Sequence, residues 1–509
     1  MRSRCVAKIA IIKPLYRMTL TVAQLCGDLV AAGHEPLVIF FKKQEIVYLP
    51  TQDQESFQFG DQPMRGIMVS QQGVQLTETS AWKKTKQGEM KSLIKLLKDF
   101  QPDAIGFSSL SNSMAEMTEE LRKHFNVPFL WGGTGPTLEP EKSMESADLV
   151  CVGEGEEVIV EIAEKLDRKE LLTDIAGTWC NLSNGEIQKN PKRPVPDLEK
   201  IAVPCWEEKY YAFINGPFFI HPFKAGSRLE DTSYQIMTQR GCPFSCSFCV
   251  ESVYQRDFGK KDSLRRMSPQ KAIRELVFAK ENLGYKSVTF MDDVFTVNPR
   301  WMDEFLPLYK AQVGLPFFCY TYPTTHTPDM LAKLKDAGCM AMAMGVQSGS
   351  ERILNDVFER KTNIKRIVKS AQDIVDAGIH ATFDMIPMTQ FDKEDDLRST
   401  FELVLQIPKE MDASFWGEMA YFPNYPIMDK FKDENLLASS GKLDFSVYEY
   451  YFKLFELTRT PMPVEQIRSI ADDPRYRADH NLLNPFMRDE FHLVPSYGTL
   501  IDEALAAAN

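Results

Sequence analysis

The chain has 509 residues, of which 44% are hydrophobic and 26% are charged. A single hydrophobic core stops growing near ~250 to 300 residues, so at least two folded units are expected. The formal net charge of -12 disfavours nucleic acid as a partner, because proteins that bind a phosphate backbone usually carry a basic excess. The sequence contains no apolar run of ~18 residues and no signal-peptide pattern, which predicts a cytoplasmic protein without a transmembrane segment.

The region 1–170 alternates apolar strands with amphipathic helices. The strand-like runs are 6–13, 35–41, 103–109, 127–133 and 149–153. This alternation predicts an α/β domain with a doubly wound, Rossmann-like parallel sheet. Residues 43–87 interrupt the rhythm with polar residues and are therefore expected to form an insertion.

A domain boundary is predicted after this region. A hairpin is expected at the Asn184-Gly185 turn, followed by the proline-containing run KNPKRPVPD, so 171–232 is predicted to be a linker. Region 233–440 then contains six strand-helix units, which predict a partial (β/α)6 barrel. Its strands are expected at 233–239, 286–293, 316–323, 339–348, 380–387 and 414–423. Residues 441–509 are predicted to form a mostly helical C-terminal region.

Three of the ten cysteines lie close together, in GCPFSCSFCV. Cys242, Cys246 and Cys249 form a C-x3-C-x2-C run directly after a predicted strand. Three thiolates on one short loop can hold three irons of a cubane cluster and leave the fourth iron without a protein ligand. A zinc knuckle is the alternative, but it needs a fourth Cys or His at finger spacing, and none follows Cys249 for dozens of residues.

This cysteine run resembles the signature of the radical SAM superfamily. The resemblance implies a [4Fe-4S] cluster whose open iron chelates S-adenosylmethionine (SAM), and whose electron cleaves SAM to a 5'-deoxyadenosyl radical. It also implies that Phe248 packs against the adenine of SAM, with ordinary core packing as the alternative for that ring.

The resemblance further implies SAM contacts at the carboxyl ends of the barrel strands, where parallel barrels carry their functional residues. These residues are Asp292, Asp293, Gln347, Ser348, Arg360 and Tyr421. Strand-end capping remains the alternative for the aspartate pair, and a surface charge remains the alternative for Arg360, whose role Lys361 could also take. The chain departs from the family after the fifth strand, where Pro387, Met388 and Thr389 stand in place of small residues.

Small and hydroxyl residues follow three strands of the N-terminal region, in FSSLSNS, WGGTGPT and VGEGEE. The dinucleotide and P-loop glycine motifs are missing, so those nucleotide sites are disfavoured. The three turns resemble the cobalamin-binding domain that precedes many radical SAM domains. The resemblance implies cobalamin contacts at Ser108, Ser109, Leu110, Gly132, Gly133, Gly153, Glu154 and Gly155. The histidine motif of classical corrinoid proteins is absent, with PLYRMT in its place, and simple tight turns are the alternative.

Together these resemblances imply a cobalamin-dependent radical SAM methyltransferase. It would methylate an unactivated carbon of a small-molecule, lipid or tetrapyrrole substrate. Its electron donor would be a flavodoxin or ferredoxin. The alternatives are a radical SAM cyclase or oxidoreductase without methyl transfer, and a corrinoid or iron-sulfur carrier without SAM chemistry. An aromatic stripe in the C-terminal region is expected to pack on the barrel or, alternatively, to cover a large apolar substrate. Its members are Phe445, Tyr448, Tyr451, Phe452 and Phe455.

Overall fold

The computed structural model describes residues 6–13, 20–41, 46–48, 64–69, 74–79, 87–109, 114–214, 220–222, 233–416, 419, 421–422, 424–437 and 443–487. The chain divides into two compact units, which are described separately. Unit 1 takes its residues from 1–45, 80–229 and 257–265, and unit 2 takes its residues from 46–79, 230–256 and 266–509.

The strands are numbered in chain order across both units. They are β1 (Lys8–Lys13), β2 (Glu35–Phe41), β3 (Ile46–Tyr48), β4 (Met64–Val69), β5 (Val74–Thr79), β6 (Ala104–Ser108), β7 (Phe129–Gly132), β8 (Leu149–Cys151), β9 (Thr178–Asn181), β10 (Ile187–Lys189), β11 (Tyr211–Ile214), β12 (Ile220–Pro222), β13 (Ser233–Ile236), β14 (Gln239–Arg240), β15 (Arg265–Arg266), β16 (Ser287–Phe290), β17 (Phe317–Thr321), β18 (Cys339–Gln347), β19 (His380–Met385) and β20 (Asp412–Trp416).

The α-helices are α1 (Leu20–Ala31), α2 (Gln87–Phe100), α3 (Ala115–Arg122), α4 (Thr134–Leu138), α5 (Pro140–Met144), α6 (Glu156–Asp167), α7 (Val250–Phe258), α8 (Lys260–Ser263), α9 (Pro269–Asn282), α10 (Pro299–Leu308), α11 (Pro328–Asp336), α12 (Ile364–Asp376), α13 (Glu394–Gln406), α14 (Ile427–Lys430), α15 (Phe445–Leu457), α16 (Val464–Asp472) and α17 (Pro474–Ala478). Short 3-10 helices cover Glu208–Tyr210, Phe295–Val297 and His480–Phe486, and π-helical turns cover Tyr309–Val313 and Ile353–Val357.

Unit 1 contains a nine-stranded sheet in the order β10-β9-β8-β7-β6-β1-β2-β11-β12. The six strands from β8 to β11 in this order pair in parallel, and β9, β10 and β12 pair antiparallel with their neighbours. The chain leaves β1 toward β2 and later returns to β6 on its other side, so the topological switch point lies at β1. The predicted linker 171–232 contributes β9 to β12 to this sheet, including a hairpin whose turn contains Gly185 at φ 85°.

The core of unit 1 is formed by the near-continuously apolar central strands. Side chains such as Ile12, Phe41, Phe107 and Trp131 are buried in one hydrophobic cluster. Strands buried on both faces are typical of parallel sheets covered by helices. Because β6, β7 and β8 pair in parallel, their carboxyl ends lie along one edge of this sheet.

Unit 2 contains a second nine-stranded sheet, in the order β13-β16-β17-β18-β19-β20-β4-β5-β3. Its first six strands pair in parallel in chain order, as the sequence predicts. The described strands of the insertion 43–87 extend this sheet, because β4 pairs antiparallel with β20, with Ala413 opposite Val69. Helices separate the six parallel strands from one another along the chain, which is the alternation of a (β/α)6 unit. The strands β3, β4 and β5 of the insertion lie outside this alternation.

The helices of unit 2 begin and pack as their sequences indicate. Ser268 caps α9, since its Oγ accepts a hydrogen bond from the Lys271 N–H at 3.2 Å. In the C-terminal region, Phe455 of α15 stacks on Phe415 of β20 with ring centroids 4.5 Å apart, and Tyr448 is buried against Thr389. The aromatic stripe therefore packs on the sheet, which is the first of the two roles predicted for it.

Candidate active site

The cysteine loop lies directly after β14 in unit 2 and ends where α7 begins. Gln255 of α7 fixes its backbone, because the Nε2 group donates to the carbonyl oxygens of Cys242 at 2.5 Å and Phe244 at 2.7 Å. Ser252 adds a bond from its Oγ to the Cys246 carbonyl at 2.6 Å. The helix thus holds the loop through backbone carbonyls, and these contacts do not use the cysteine thiols.

The three thiols lie in a partly desolvated environment. Burial raises the pKa of Cys242 to about 12 and moves the pKa of Cys249 upward in the same way. A buried thiolate therefore needs a cation beside it, which bound iron supplies. Within the described part of the chain, no three Cys, His, Asp or Glu residues are arranged to hold a single metal ion. A cubane cluster requires a different arrangement, with one thiolate for each of three irons.

Arg360 places a positive charge beside one of these thiols. Its Nη1 lies 3.6 Å from the Cys246 Sγ and its Nη2 donates to the Gly345 carbonyl. The residue is only 6% exposed, yet its Nε has no hydrogen-bond partner among the described residues. A buried guanidinium with an unused donor fits a site that receives an anion. Both a thiolate-ligated cluster and the carboxylate of SAM meet this requirement.

The two predicted aspartates play different parts. Asp292 is fully buried and accepts hydrogen bonds from the Thr238 N–H at 2.5 Å, the Gln239 N–H at 3.1 Å and Arg266 at 3.1 Å. Its carboxylate therefore fixes the backbone of the segment that leads into the cysteine loop. Asp293 remains accessible to solvent, although desolvation by nearby protein atoms and the charge of Asp292 raise its pKa to about 6.

A similar division separates Gln347 from Ser348 at the end of β18. Gln347 has φ 76°, a left-handed backbone that non-glycine residues rarely adopt, and such strain clusters at functional sites. Its side-chain amide lies beside Gly345, close to the Arg360 guanidinium. Ser348 is buried, and its Oγ accepts from the Ser350 N–H at 3.1 Å. Gln347 is thus placed near Arg360, whereas Ser348 organises the turn that follows.

Phe248 and Tyr421 both make aromatic contacts in unit 2. Phe248 is half-buried against Phe358, with centroids 4.6 Å apart. The Tyr421 hydroxyl accepts a hydrogen bond from the Gln390 N–H at 2.9 Å, so it supports the loop that follows β19. Neither contact tests their predicted proximity to adenine, which stays a prediction.

Sequence reasoning missed two residues beside the cysteine loop. Tyr322, just after β17, stacks on Phe244 with ring centroids 3.9 Å apart, and the Arg360 guanidinium lies 4.2 Å from the centroid of the Tyr322 ring. Phe244 stands inside the cysteine run, between Cys242 and Cys246. The position of Tyr322 at a strand end could have indicated a functional residue. Its neighbours could not be inferred, because they come from distant parts of the sequence.

In unit 1, the predicted cobalamin residues gather at the carboxyl edge of the sheet. Ser108 and Ser109 at the end of β6 are buried, and the Ser109 N–H donates to the Gly132 carbonyl at 3.0 Å. Gly133 has φ 112°, and an added Cβ would lie 2.5 Å from the Ser109 carbonyl oxygen. At Gly132 the nearest atom to such a Cβ is the Cys151 Cβ at 3.6 Å. Leu110 lies outside the described residues.

The turn after β8 contacts other parts of unit 1. Gly153 has φ 105°, and a Cβ there would meet the Phe258 ring at 2.7 Å. Glu154 forms an ion pair with Arg265, and Gly155 precedes α6. The small residues at the ends of β6 and β7 leave the backbone edge at Gly132 open to a close approach, which fits a bulky planar ligand. The shape of the backbone at this edge is therefore compatible with a bound corrinoid. The individual cobalamin contacts predicted from the sequence stay predictions.

Two domain models match the chain. The radical SAM superfamily model matches residues 236–404, and the B12 binding domain model matches residues 68–163. The chain therefore contains a radical SAM domain preceded by a B12-binding domain. This finding confirms the two domains predicted from the cysteine run and from the glycine-rich turns, together with their order.

Several curated proteins are similar to this radical SAM chain. An uncharacterised methyltransferase of Pyrococcus horikoshii is 28% identical over 64% of the chain and 67% of its own length. Cytidylyl-2-hydroxyethylphosphonate methyltransferase of Streptomyces wedmorensis is 24% identical over 57% of the chain and 58% of its own length. Anaerobic magnesium-protoporphyrin IX monomethyl ester cyclase of Rubrivivax gelatinosus is 23% identical over 69% and 61%. The chain thus spans about three fifths of the length of the curated relatives that it matches.

Solved structures of two such enzymes have the same fold. The radical SAM methyltransferase TsrM of Kitasatospora setae, with cobalamin and a [4Fe-4S] cluster bound, aligns with TM-score 0.58 and 14% identity over 83% of this chain and 74% of that chain. The cobalamin-dependent radical enzyme OxsB, with aqua-cobalamin bound, aligns with TM-score 0.61 and 15% identity over 99% and 75%. These similarities confirm the predicted fold class. Among the described helices, none is long and apolar enough to cross a membrane.

Proposed function

We propose that the protein is a cobalamin-dependent radical SAM methyltransferase. The observation that carries this proposal is the cysteine loop, with Arg360 buried beside the Cys246 thiol, in a chain that also matches the B12 binding domain model. When bound, a reduced [4Fe-4S] cluster and SAM supply a 5'-deoxyadenosyl radical, and cobalamin supplies a transferable methyl group. Hydrogen abstraction from an unactivated carbon would prepare the substrate for methylation.

The residues of unit 2 would act by holding and orienting these groups. Cys242, Cys246 and Cys249 would bind three irons and leave the fourth iron to the amino and carboxylate groups of SAM. Arg360 would offset negative charge at this position, and the strained Gln347 would present its amide from the same strand end. Asp292 would act at one remove, because it fixes the backbone that leads into the loop.

The residues of unit 1 would bind cobalamin through backbone shape. Ser109, Gly132 and Gly133 bring β6 and β7 together without bulky side chains between them. Binding of this kind needs no histidine ligand to cobalt, in agreement with the absence of the histidine motif from the sequence.

The substrate class is a small molecule or lipid-like compound with an unactivated carbon. One relative is named a cytidylyl-2-hydroxyethylphosphonate methyltransferase and another a bacteriochlorophyllide d methyltransferase. Two others are named anaerobic magnesium-protoporphyrin IX monomethyl ester cyclases. The cyclases make cyclisation without methyl transfer the second candidate function. A flavodoxin or ferredoxin would provide the electron that reduces the cluster.

The radical step is tested by anaerobic reconstitution with iron and sulfide, followed by dithionite and SAM. We expect the wild-type protein to release 5'-deoxyadenosine and Cys246→Ala to release none. Cys180→Ala is the matched control, because this cysteine lies in unit 1 with its thiol directed at the Thr173 carbonyl. A wild-type protein with a full cluster that leaves SAM intact would contradict the proposal.

Cobalamin and the type of reaction are tested separately. Protein produced with excess cobalamin should retain corrinoid absorption bands after desalting. With SAM labelled in its methyl group, a methyltransferase gives a product that carries the label, whereas a cyclase gives an unlabelled product and 5'-deoxyadenosine. A protein without corrinoid bands would restrict the proposal to radical SAM chemistry alone.

A further inference from the structure

The environment of the Tyr322 hydroxyl sets this residue apart. Tyr322 is 2% exposed, and its Oη has no hydrogen-bond partner among the described residues. Other buried tyrosines use their hydroxyls: Tyr234 bonds Glu275, Tyr309 bonds the Leu315 carbonyl, and Tyr450 bonds the Ala471 carbonyl. A buried hydroxyl without a partner costs free energy, so its presence calls for an explanation, and a bound ligand that accepts its hydrogen bond supplies one.

The position of this hydroxyl group points to the kind of ligand. The Tyr322 ring stacks on Phe244 of the cysteine loop with centroids 3.9 Å apart, and the Arg360 guanidinium lies 4.2 Å from its centroid. Arg360 has an unpartnered Nε of its own, and its Nη1 is 3.6 Å from the Cys246 Sγ. Two unused donors, one of them cationic, thus belong to adjacent side chains beside the cysteine loop. Paired donors of this kind suit an anionic oxygen ligand.

We propose that Tyr322 is a further residue of the SAM site. Its hydroxyl donates a hydrogen bond to the carboxylate of SAM, to which the Arg360 guanidinium also binds. This inference rests on the proposed radical SAM function. The ring of Tyr322 has a second, positioning effect, because the cation–π contact holds the guanidinium over it. Its hydroxyl and the guanidinium therefore recognise the same carboxylate group.

The test compares SAM with its decarboxylated analogue, which keeps the adenosine, sulfonium and amine but lacks the carboxylate. The proteins are wild type, Tyr322→Phe and Tyr450→Phe, each reconstituted with its cluster and matched for iron content. Tyr450 is the control because it is equally buried at 2% exposure and has the Arg477 guanidinium 5.7 Å from its ring centroid. Dissociation constants are measured by anaerobic titration.

For Tyr322→Phe we expect the dissociation constant for SAM to rise about tenfold, as for loss of one hydrogen bond to a charged group. The constant for the decarboxylated analogue should stay unchanged, and Tyr450→Phe should bind both ligands as wild type does. The phenylalanine ring keeps the stacking, so a merely structural role for Tyr322 predicts no such difference between ligands.

Equal affinities of Tyr322→Phe and wild type for SAM would overturn the inference, as would an equal loss of affinity for both ligands. Failure of the proposed function looks different, because then the wild-type protein itself with a complete cluster would not bind SAM. If Tyr322→Phe does not retain the cluster, the same two titrations are made with Tyr322→His, whose shorter ring lacks the phenol hydroxyl. A rise in the dissociation constant for SAM without a rise for the analogue then supports the inference, and no rise for SAM, or an equal rise for both ligands, overturns it.

Discussion

The carboxyl edges of the two sheets use different chemistry. In unit 2 the edge carries charged and polar groups with unused hydrogen-bonding capacity, namely the Arg360 Nε and the Tyr322 hydroxyl, next to buried thiols. In unit 1 the edge carries small residues whose close contacts are with protein, as at Gly133 beside Ser109. A site formed by charged side chains can be recognised from its unsatisfied groups, whereas a site formed by backbone shape is recognised from the space beside its small residues. The contrast is one of degree, because the Trp131 Nε1 of β7 also has no hydrogen-bond partner among the described residues.

The largest expected effect is on the side-chain site of unit 2. Arg360→Gln removes the buried cation next to the Cys246 thiol, and truncation of a charged donor costs about 2 to 5 kcal/mol. The rate of 5'-deoxyadenosine release per cluster should fall about 30-fold or more. Arg366→Gln, on the exposed face of α12, should retain the wild-type rate. Comparable rates for the two variants would show that the unit 2 edge does not depend on this charge.

The next effect separates the two aspartates at that edge. Asp292→Asn removes a charge that holds Arg266 and two backbone N–H groups, so we expect a loss of about 3 kcal/mol in the free energy of unfolding and a lower iron content. Asp293→Asn should not lower the free energy of unfolding, because its carboxylate is accessible to solvent and the substitution removes its repulsion with Asp292. Chemical denaturation of both apo-proteins measures the difference. Equal stabilities would mean that Asp292 does not anchor the strand end.

In unit 1 the backbone itself should be the sensitive feature. Gly133→Ala forces a side chain into a left-handed backbone and onto the Ser109 carbonyl, at an expected cost of about 2 to 4 kcal/mol and with loss of cobalamin retention. Gly185→Ala is the matched control, since its φ of 85° is also positive but no atom lies within 4 Å of the added Cβ. It should cost about 1 kcal/mol and keep the corrinoid. Equal costs at the two glycines would contradict the close approach of β6 and β7.

The smallest expected effect concerns Glu154. Its carboxylate pairs with Arg265 within unit 1, so its own contribution to a ligand would come from the backbone. Glu154→Gln should lower stability by about 1 kcal/mol or less, because the pair is partly exposed, and it should leave cobalamin retention unchanged. Absorption spectra after desalting measure the latter. A clear loss of corrinoid would instead place the Glu154 side chain in the binding site.

Local patterns were sufficient to predict much of the fold and of the cluster loop. Apolar runs separated by helices predicted the parallel strands of both sheets, and the spacing of Cys242, Cys246 and Cys249 predicted the cluster. The pairing of β4 with β20 could not be predicted, because it joins segments more than 300 residues apart and neither strand encodes its partner. For the same reason, the contacts of Tyr322 with Phe244 and Arg360 could not be predicted, because they join three distant segments of the chain.

The central claim is that three cysteines leave one iron of a [4Fe-4S] cluster open to SAM. Mössbauer spectroscopy of protein reconstituted with 57Fe, recorded with and without SAM, tests it most directly. The account predicts that one iron in four changes its isomer shift when SAM is added and that the other three do not. A four-iron cluster whose irons all keep their parameters in saturating SAM would contradict it.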